Sequence, residues 1–285
     1  MRLCRFDDNR LGVVIGSEVR DVTPVVARLP AQRWPLPKGD PLLAALGELR
    51  PQIELELERA PARPLSGVRL LSPVANPSKI VAAPVNYRRH LEEARADAAI
   101  HFQKQVEEIQ RVGLFLKATS ALVGPSEGVA LRHLDRRNDH EVELALVIGK
   151  TADRVRAADA LSHVAGYAIG LDMTIRGPEE RSLRKSCDSY CVLGPWMVTA
   201  DEIFDPTQLD LSIAVNGERR QHANTRDLVL GLGTLIELAS SFYTLLPGDV
   251  LLTGTPEGVG PVRPGDVMEA AISGIGSMRV EVRAA

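Results

Sequence analysis

The sequence has few cysteines, no long apolar run and no dense block of basic residues. Its three cysteines, Cys4, Cys187 and Cys191, match neither a CxxC redox pair nor a zinc knuckle, so we expect reduced structural thiols. No stretch approaches the ~18 apolar residues of a membrane span, and the N-terminus lacks the apolar core of a signal peptide. A net charge of -3 without a basic block argues against nucleic-acid binding. We therefore predict a cytoplasmic protein that binds neither membranes nor nucleic acids.

The pattern of predicted secondary structure changes near residue 75. With 45% apolar and 25% charged residues, the 285-residue chain is long enough for one large domain or two unequal ones. Residues 1–75 alternate in short runs and then give a helix candidate, PLLAALGELRPQIELELERA, and a Pro-rich linker, which predicts a small N-terminal α+β domain. Residues 76–285 predict a longer, mostly β domain.

Strands are predicted in this second region at KIVAAPV, VELALVIG, HVAGYAIGLDM, LDLSIAVNGE, DVLLTGT, VMEAAISG and MRVEVRA. Helices are predicted at YRRHLEEARADAAIHFQKQVEEIQRVG and TRDLVLGLGTLIELASSFYTL. The tripeptide PGD occurs twice, each time before a predicted strand, and it suits the central positions of a type II turn.

Two glutamates share one face of a predicted strand. In HEVELALVIGK, Glu141 and Glu143 are two residues apart, so on a strand their side chains point the same way, roughly 7 Å apart along the backbone. The apolar Leu144, Leu146 and Ile148 predict a strand that is at least half buried, where an unpaired carboxylate is costly or takes up a proton. The alternatives are an edge strand whose glutamates face water and a strand whose glutamates meet a positive group.

A metal site needs a third oxygen ligand, and Asp172 is the best candidate. It ends the otherwise apolar strand GYAIGLDM, although a strand-end aspartate that caps a turn or a helix is the alternative. Three carboxylates without His or Cys favour Mg²⁺ or Mn²⁺, and Mg²⁺ keeps waters that a chelating substrate can replace. His140 adjoins the glutamates but faces the other side of the strand, so we do not expect it to be a ligand.

Six motifs resemble the fumarylacetoacetate hydrolase family. In chain order they are VNYRRHLEEA, HEVELALVIGK, GYAIGLDMT, KSCDSYCVLGPW, VNGERRQ and LLPGDVLLTGTPEGVG, and the resemblance extends over roughly residues 79–280, almost the entire second region. The resemblance implies an α+β, mainly β fold, with a mixed β-sandwich or β-roll in residues 76–285 behind the small N-terminal domain, and it implies a homodimer. It also implies a divalent ion, Mg²⁺ or Mn²⁺, on Glu141, Glu143 and Asp172.

Two further motifs carry candidate catalytic residues. In NYRRHLEEA, His90 and Glu93 are three residues apart, so on a helix they share a face and the carboxylate can orient the imidazole. Spacing alone favours a surface salt bridge, whereas the resemblance implies a water-activating dyad on a lid segment that continues to the following strand. Lys185, in RKSCDSYCVLGPW, matches the family's active-site lysine and would steady a developing oxyanion; a solvated loop lysine is the alternative.

Three residues are candidate substrate contacts. Arg176, four residues after Asp172, matches a family arginine that fixes the substrate or a ligand carboxylate, with a structural ion pair as the alternative. Lys117, in GLFLKATSALVGP, matches a common family lysine. The loop TGTPEGVG lacks the pattern of a phosphate loop; its backbone amides and Thr255 are candidates to hold a substrate carboxylate, and a plain turn is the alternative. Many relatives carry Gln where this sequence has Glu179, which we expect to disfavour an anionic group there.

The resemblance implies a metal-dependent hydrolase that cleaves a carbon–carbon bond in an acylpyruvate or related 2,4-diketo acid, giving pyruvate and a carboxylic acid. His90, held by Glu93, would activate the water, and this dyad favours hydrolysis. The alternatives are an isomerase or decarboxylase of a 2-oxo or 2-hydroxymuconate-type dioate, including oxaloacetate, and a catalytically inactive binding paralogue. The expected ligand is a small 2-oxo acid whose acyl group the sequence does not specify.

Overall fold

Strands dominate the computed structural model, which describes residues 1–102 and 105–285. The strands are β1 (Arg2–Phe6), β2 (Arg10–Ile15), β3 (Glu18–Asp21), β4 (Ala62–Pro64), β5 (Leu70–Leu71), β6 (Ile80–Ala82), β7 (Phe115–Lys117), β8 (Leu122–Val123), β9 (Val129–Leu131), β10 (Asn138–His140), β11 (Val142–Ile148), β12 (Val164–Asp172), β13 (Thr174–Ile175), β14 (Cys191–Thr199), β15 (Asp210–Val215), β16 (Glu218–Asn224), β17 (Val250–Leu252), β18 (Gly260–Pro261), β19 (Val267–Ile272) and β20 (Gly276–Ala284).

The α-helices are short. They are α1 (Pro41–Ala44), α2 (Leu46–Leu57), α3 (Arg88–Ala96), α4 (Ala98–His101), α5 (Ile109–Val112), α6 (Ala157–Ala160), α7 (Arg181–Lys185) and α8 (Leu232–Phe242). In the described part of the chain, no helix has the length and apolar character that crossing a membrane requires.

In the described residues the strands form three sheets. The large sheet has the order β4-β3-β2-β1-β14-β12-β11-β17-β6-β7, with β5 beside β1 and β8 beside β14. A five-stranded sheet has the order β16-β15-β19-β20-β9, and a three-stranded sheet the order β13-β10-β18. Parallel pairs, such as β17 with β6 and β20 with β9, occur among antiparallel neighbours. The prediction of a mixed, mainly β fold is confirmed.

The central strand β11 is buried on both faces. Leu144, Leu146 and Ile148 belong to the core that the large sheet shares with the five-stranded sheet. Ala145 and Val147, which point the other way because side chains alternate along a strand, belong to a second core that includes residues of α1 and α2. Strand β11, which carries Glu143 and begins directly after Glu141, is therefore a core strand and not a solvent-facing edge.

The N-terminal region extends the large sheet. Leu3 of β1 pairs with Met197 of β14, and β2, β3 and β4 follow outward in order. The division of the chain into a small domain and a larger one near residue 75 stays a prediction.

The prediction of one continuous helix from residue 87 to residue 113 is wrong. The structure has α3, α4 and α5 in its place, and residues 103 and 104 of the predicted helix lie outside the described residues. Asp97 ends α3 in an extended conformation and caps α4, Phe102 ends α4 with φ 46°, and Gly113 ends α5 with φ 69°. Helix-favouring composition did not predict these breaks, because each depends on the backbone conformation and hydrogen bonds of a single residue, such as the cap that Asp97 forms.

Candidate active site

The chain passes between two sheets twice at the same place. β10 pairs with β13 in the three-stranded sheet, whereas β11 pairs with β12 in the large sheet. Glu141 lies between β10 and β11, and Asp172 ends β12 just before β13. The backbone N–H of Asp172 donates to the carbonyl oxygen of Glu141 at 2.9 Å. This double crossing brings two carboxylates together, and Glu143 on β11 adds a third.

Glu141, Glu143 and Asp172 form a buried carboxylate cluster. Each offers one oxygen, and these oxygens lie within 4.8 Å of one another. The three residues are 4%, 1% and 1% exposed. Oxygen donors without His or Cys suit a hard divalent cation, so the cluster can hold a metal ion. His140 contacts Gln221 (3.2 Å) and is not part of the cluster.

Three cations compensate two of these carboxylates. The ammonium of Lys185 donates to Glu141 (2.6 Å) and to Asp172 (2.7 Å). Lys117 donates to the other oxygen of Asp172 (2.5 Å), and Arg176 donates to Glu141 (2.9 Å). Burial acts to raise the pKa of Glu141, but the charges of Lys185 and Arg176 hold that pKa well below its usual range.

Glu143 has no cationic partner at salt-bridge distance within the described residues. Its carboxylate accepts the backbone N–H of Gly254 at 2.6 Å. Burial, followed by the negative charge of Asp172, raises the pKa of Glu143 well above its ordinary value. A divalent cation bound to the cluster would supply the positive partner that the Glu143 carboxylate lacks, so the donors and their electrostatics fit a metal ion.

The predicted His–Glu pair is formed on α3. His90 Nδ1 lies 2.8 Å from Glu93 Oε2, and Glu93 Oε1 accepts the N–H of Gly258 at 2.9 Å. His90 is 4% exposed, which does not fit a solvated surface salt bridge. Because Glu93 holds Nδ1, Nε2 is the ring nitrogen left for the cavity.

A cavity of about 170 Å³ joins the pair to the cluster, with walls that include His90, Glu141, Glu143, Arg176, Lys185 and Thr255. Six of the nine predicted site residues therefore meet at one cavity. Lys117 and Asp172 are bonded to each other beside it, and Glu93 reaches it through His90.

The loop from residue 253 to residue 260 holds the protein's own carboxylates. The amides of Gly254 and Gly258 donate to Glu143 and Glu93, and the Thr255 hydroxyl donates to the carbonyl oxygen of Val142 (2.9 Å). These two amides were expected to bind a substrate carboxylate, but they bind carboxylates of the protein, because buried carboxylates require hydrogen-bond donors. A contact between Thr255 and substrate stays a prediction.

The sequence patterns missed an alternating series of charges that leads from α4 to the cluster. Arg137 donates to Asp97 (3.0 Å), the N-cap of α4, and to Asp139 (2.7 Å). Asp139 in turn accepts from Arg176 (2.7 Å), which contacts Glu141. The charge-rich run RRNDHEVE was the available signal, but spacing alone does not reveal partners that lie tens of residues away.

The charge of Glu179 is compensated. Its two oxygens accept from the guanidinium of Arg136 at 3.1 and 2.8 Å, and Arg136 also donates to the carbonyl oxygen of Arg176. The expectation that Glu179 disfavours an anion assumed a free charge, and the ion pair removes that reason.

The fold and the site define a mainly β protein in which a buried carboxylate cluster suited to a metal ion faces a His–Glu pair across a small cavity. The chain belongs to the fumarylacetoacetate hydrolase family, because the model of the fumarylacetoacetate (FAA) hydrolase C-terminal domain matches residues 79–283. The family predicted from the motifs is confirmed.

Individual relatives resemble the chain over its whole length. A maleylpyruvate hydrolase of Aquipseudomonas alcaligenes is 60% identical over 285 residues, 99% of each chain. A 2,4-didehydro-3-deoxy-L-rhamnonate hydrolase of Sphingomonas sp. (strain SKA58) is 35% identical over 299 residues, which cover 99% of this chain and 96% of the relative. The crystal structure of maleylpyruvate hydrolase from Sphingobium sp. SYK-6 in complex with manganese(II) ion and pyruvate has a TM-score of 0.85 and 44% identity, over 100% of this chain and 99% of that chain.

Proposed function

We propose that this protein is a metal-dependent hydrolase that cleaves the carbon–carbon bond of an acylpyruvate to give pyruvate and a carboxylic acid. The observation that carries the proposal is the placement of His90, held by Glu93, on the same cavity as Glu141 and Glu143. The 60% identity to a maleylpyruvate hydrolase confirms the enzyme class predicted from the sequence and makes maleylpyruvate the first substrate to test.

Glu141, Glu143 and Asp172 are the residues assigned to hold a Mg²⁺ or Mn²⁺ ion. Such an ion, when bound, stabilises negative charge on the oxygens of a 2-oxo acid. Support comes from the oxygen-only donors, from the uncompensated charge of Glu143 and from the manganese in the related crystal structure. We assign Lys117 and Arg176 to orienting Asp172 and Glu141, because each donates directly to that carboxylate.

His90 is assigned to take a proton from water through Nε2, while Glu93 fixes Nδ1. The water oxygen then bonds to the acyl carbon, the bond between that carbon and the pyruvoyl methylene breaks, and the proton that His90 took from water passes to the methylene carbon, which becomes the methyl group of pyruvate. Lys185 is the donor assigned to the oxyanion at the acyl carbon, because its ammonium already lies at the edge of the cluster. Arg176 and Thr255 keep a second assignment as substrate contacts, since both line the cavity.

The reaction is tested with maleylpyruvate in H₂¹⁸O, with Mn²⁺ or Mg²⁺ present. Hydrolysis releases equal amounts of pyruvate and a carboxylic acid, and the new carboxylate carries the label. An isomerase would change the ultraviolet spectrum without releasing pyruvate, a decarboxylase would release CO₂, and an inactive paralogue would do none of these. Either of the first two results, or no turnover, would overturn the proposal.

Substitution tests the assignment of His90. We expect His90→Ala to lower pyruvate release at least about 100-fold, the lower limit of what general-base catalysis contributes. His222→Ala is the matched control, because this histidine is exposed on β16. Equal loss in both variants would contradict the assignment.

Two further predictions from the family concern the whole protein. We propose a homodimer in the cytoplasm that acts on a small 2-oxo acid. Light scattering coupled to size-exclusion chromatography measures the oligomeric state, and a monomer at micromolar concentration would contradict the dimer.

A further inference from the structure

Helix α7 places two positive side chains, Arg181 and Lys185, on the cavity. Residues four apart share a face of a helix and are separated by about 6 Å along its axis. Both cations also meet one aromatic ring, since the guanidinium carbon of Arg181 and the ammonium nitrogen of Lys185 each lie 5.5 Å from the centroid of Phe115. Their charges are therefore no farther apart than twice that distance. Lys185 touches the carboxylate cluster, and Arg181 lies one turn away from it.

Arg181 differs from the other cations of the site in its partners. In the described part of the chain, no hydrogen bond or ion pair engages its guanidinium. The two carboxylates that precede it are committed elsewhere, because Glu179 pairs with Arg136 (2.8 Å) and Glu180 accepts the N–H of Ser182 (2.6 Å). The side chain is half-buried, and burial lowers the pKa of Arg181 below its ordinary value. A partly desolvated guanidinium on a cavity wall is stabilised when an anion enters.

We propose that Arg181 binds a carboxylate at the acyl end of the substrate, so that the enzyme selects acylpyruvates with a second, terminal carboxylate. This inference rests on the proposed function, which assigns the pyruvoyl end to the carboxylate cluster. A terminal carboxylate lies several ångströms beyond the bond that breaks, and the one-turn separation of Arg181 from Lys185 is of that size. A guanidinium presents two parallel N–H donors that match a carboxylate, which makes Arg181 a determinant of specificity.

Arg184 provides a matched control on the same helix. It also lines the cavity, but its Nε donates to the carbonyl oxygen of Glu179 (3.0 Å) and its Nη1 donates to that of Ile175 (2.9 Å). These bonds hold Arg184 to the backbone. Arg184→Gln therefore removes the same charge from the same cavity and leaves the free guanidinium of Arg181 in place.

The test compares two substrates that differ only at the acyl end. Maleylpyruvate carries a terminal carboxylate, and cis-pent-2-enoylpyruvate carries an ethyl group in its place. We expect Arg181→Gln to lower kcat/KM for maleylpyruvate by about 10- to 100-fold, mainly through KM, because a charge-assisted hydrogen bond is lost. We expect kcat/KM for pentenoylpyruvate to change by less than about threefold. Arg181→Lys should recover part of the loss, and thermal melting checks that each variant is folded.

The outcomes separate this inference from the proposed function. If Arg181→Gln lowers kcat/KM equally for both substrates, Arg181 contacts the pyruvoyl end or stabilises the fold, and the inference is overturned. If Arg184→Gln gives the same selective loss of kcat/KM for maleylpyruvate, the effect comes from the overall positive charge of the cavity, and Arg181 does not bind the terminal carboxylate. If the wild-type enzyme cleaves neither substrate, the proposed function itself fails.

Discussion

Replacing Glu93 by Gln should produce a wrongly protonated His90 without disturbing the fold. Glu93 has two partners, His90 Nδ1 at 2.8 Å and the N–H of Gly258 at 2.9 Å. A glutamine offers one acceptor and one donor group in place of two acceptors. The backbone N–H of Gly258 can only donate, so it retains the amide oxygen and leaves the NH₂ group facing His90. The imidazole can adapt by changing tautomer, which moves its proton to Nε2.

The size of the effect follows from that proton. A histidine protonated at Nε2 cannot accept a proton from water there, so the contribution of the general base is lost, which is about 100- to 10,000-fold in kcat. Loss of the charge-assisted hydrogen bond alone would cost about 1.5–3 kcal/mol, or roughly 10- to 150-fold. We therefore expect kcat to fall at least about 100-fold, with KM nearly unchanged because Glu93 does not contact the carboxylate cluster.

The assay is pyruvate release under saturating maleylpyruvate and Mn²⁺. The control is Glu92→Gln, because Glu92 is the exposed neighbour of Glu93 on α3 and carries the same charge. A Glu93→Gln variant whose kcat stays within about threefold of the wild type would refute the dyad, since such a change is less than 1 kcal/mol. A normal kcat with a raised KM would instead place Glu93 in substrate binding.

Three further predictions concern the metal, the ion pair at α4 and the thiols. In EDTA at neutral pH, Glu143→Gln should raise the melting temperature, because it removes a buried carboxylate whose raised pKa makes ionisation costly. Added Mn²⁺ should not raise the melting temperature of this variant further, although it should stabilise the wild type and the surface control Glu269→Gln. Asp97→Asn keeps the helix cap but loses the ion pair with Arg137, so kcat/KM should fall by about two- to fivefold and amide exchange in α3 and α4 should rise. Native protein at pH 8 should show Ellman reactivity at Cys187 only, because Cys187 is half-buried whereas Cys4 and Cys191 are buried and burial raises the pKa of both to about 12. Burial also raises the pKa of Cys187, so its reaction should be slow.

Each of these has a contrary result. Equal stabilisation by Mn²⁺ in wild type and Glu143→Gln would remove Glu143 from the metal ligands. Unchanged exchange in Asp97→Asn would mean that the ion pair does not hold α4. For Cys4 and Cys191, the raised pKa predicts that thiolate appears only as the pH approaches that pKa, so rapid reaction of these two thiols at pH 8 would contradict their burial.

Local chemistry explains what could be predicted from the sequence. Alternating apolar residues predicted β11 and β12, and the structure places them in the middle of the large sheet. Both PGD turns put glycine where a type II turn needs positive φ, with φ 87° at Gly248 and 97° at Gly265. Likewise, the spacing of His90 and Glu93 was enough to predict one helical face, because both residues lie within one turn of α3.

The breaks between α3, α4 and α5 and the partners of the charged residues depended on contacts between distant segments. Nothing near Glu143 in the sequence indicates that Gly254 donates to it. Likewise, the ion pair between Glu179 and Arg136 joins segments 43 residues apart, and it removes the reason for the expectation drawn from Glu179 alone. Spacing constrains only neighbours on one element, so such pairs are set by packing.

The sequence by itself determined the residue types of the site, the strands that carry them and, through its motifs, the family. The tertiary structure decided which charges are compensated. Where β10 to β11 and β12 to β13 cross between sheets, Glu141 and Asp172 receive lysine and arginine partners, while among the described residues Glu143 receives only a backbone amide. A buried charge is governed by what lies within a few ångströms of it, and only folding brings those groups together.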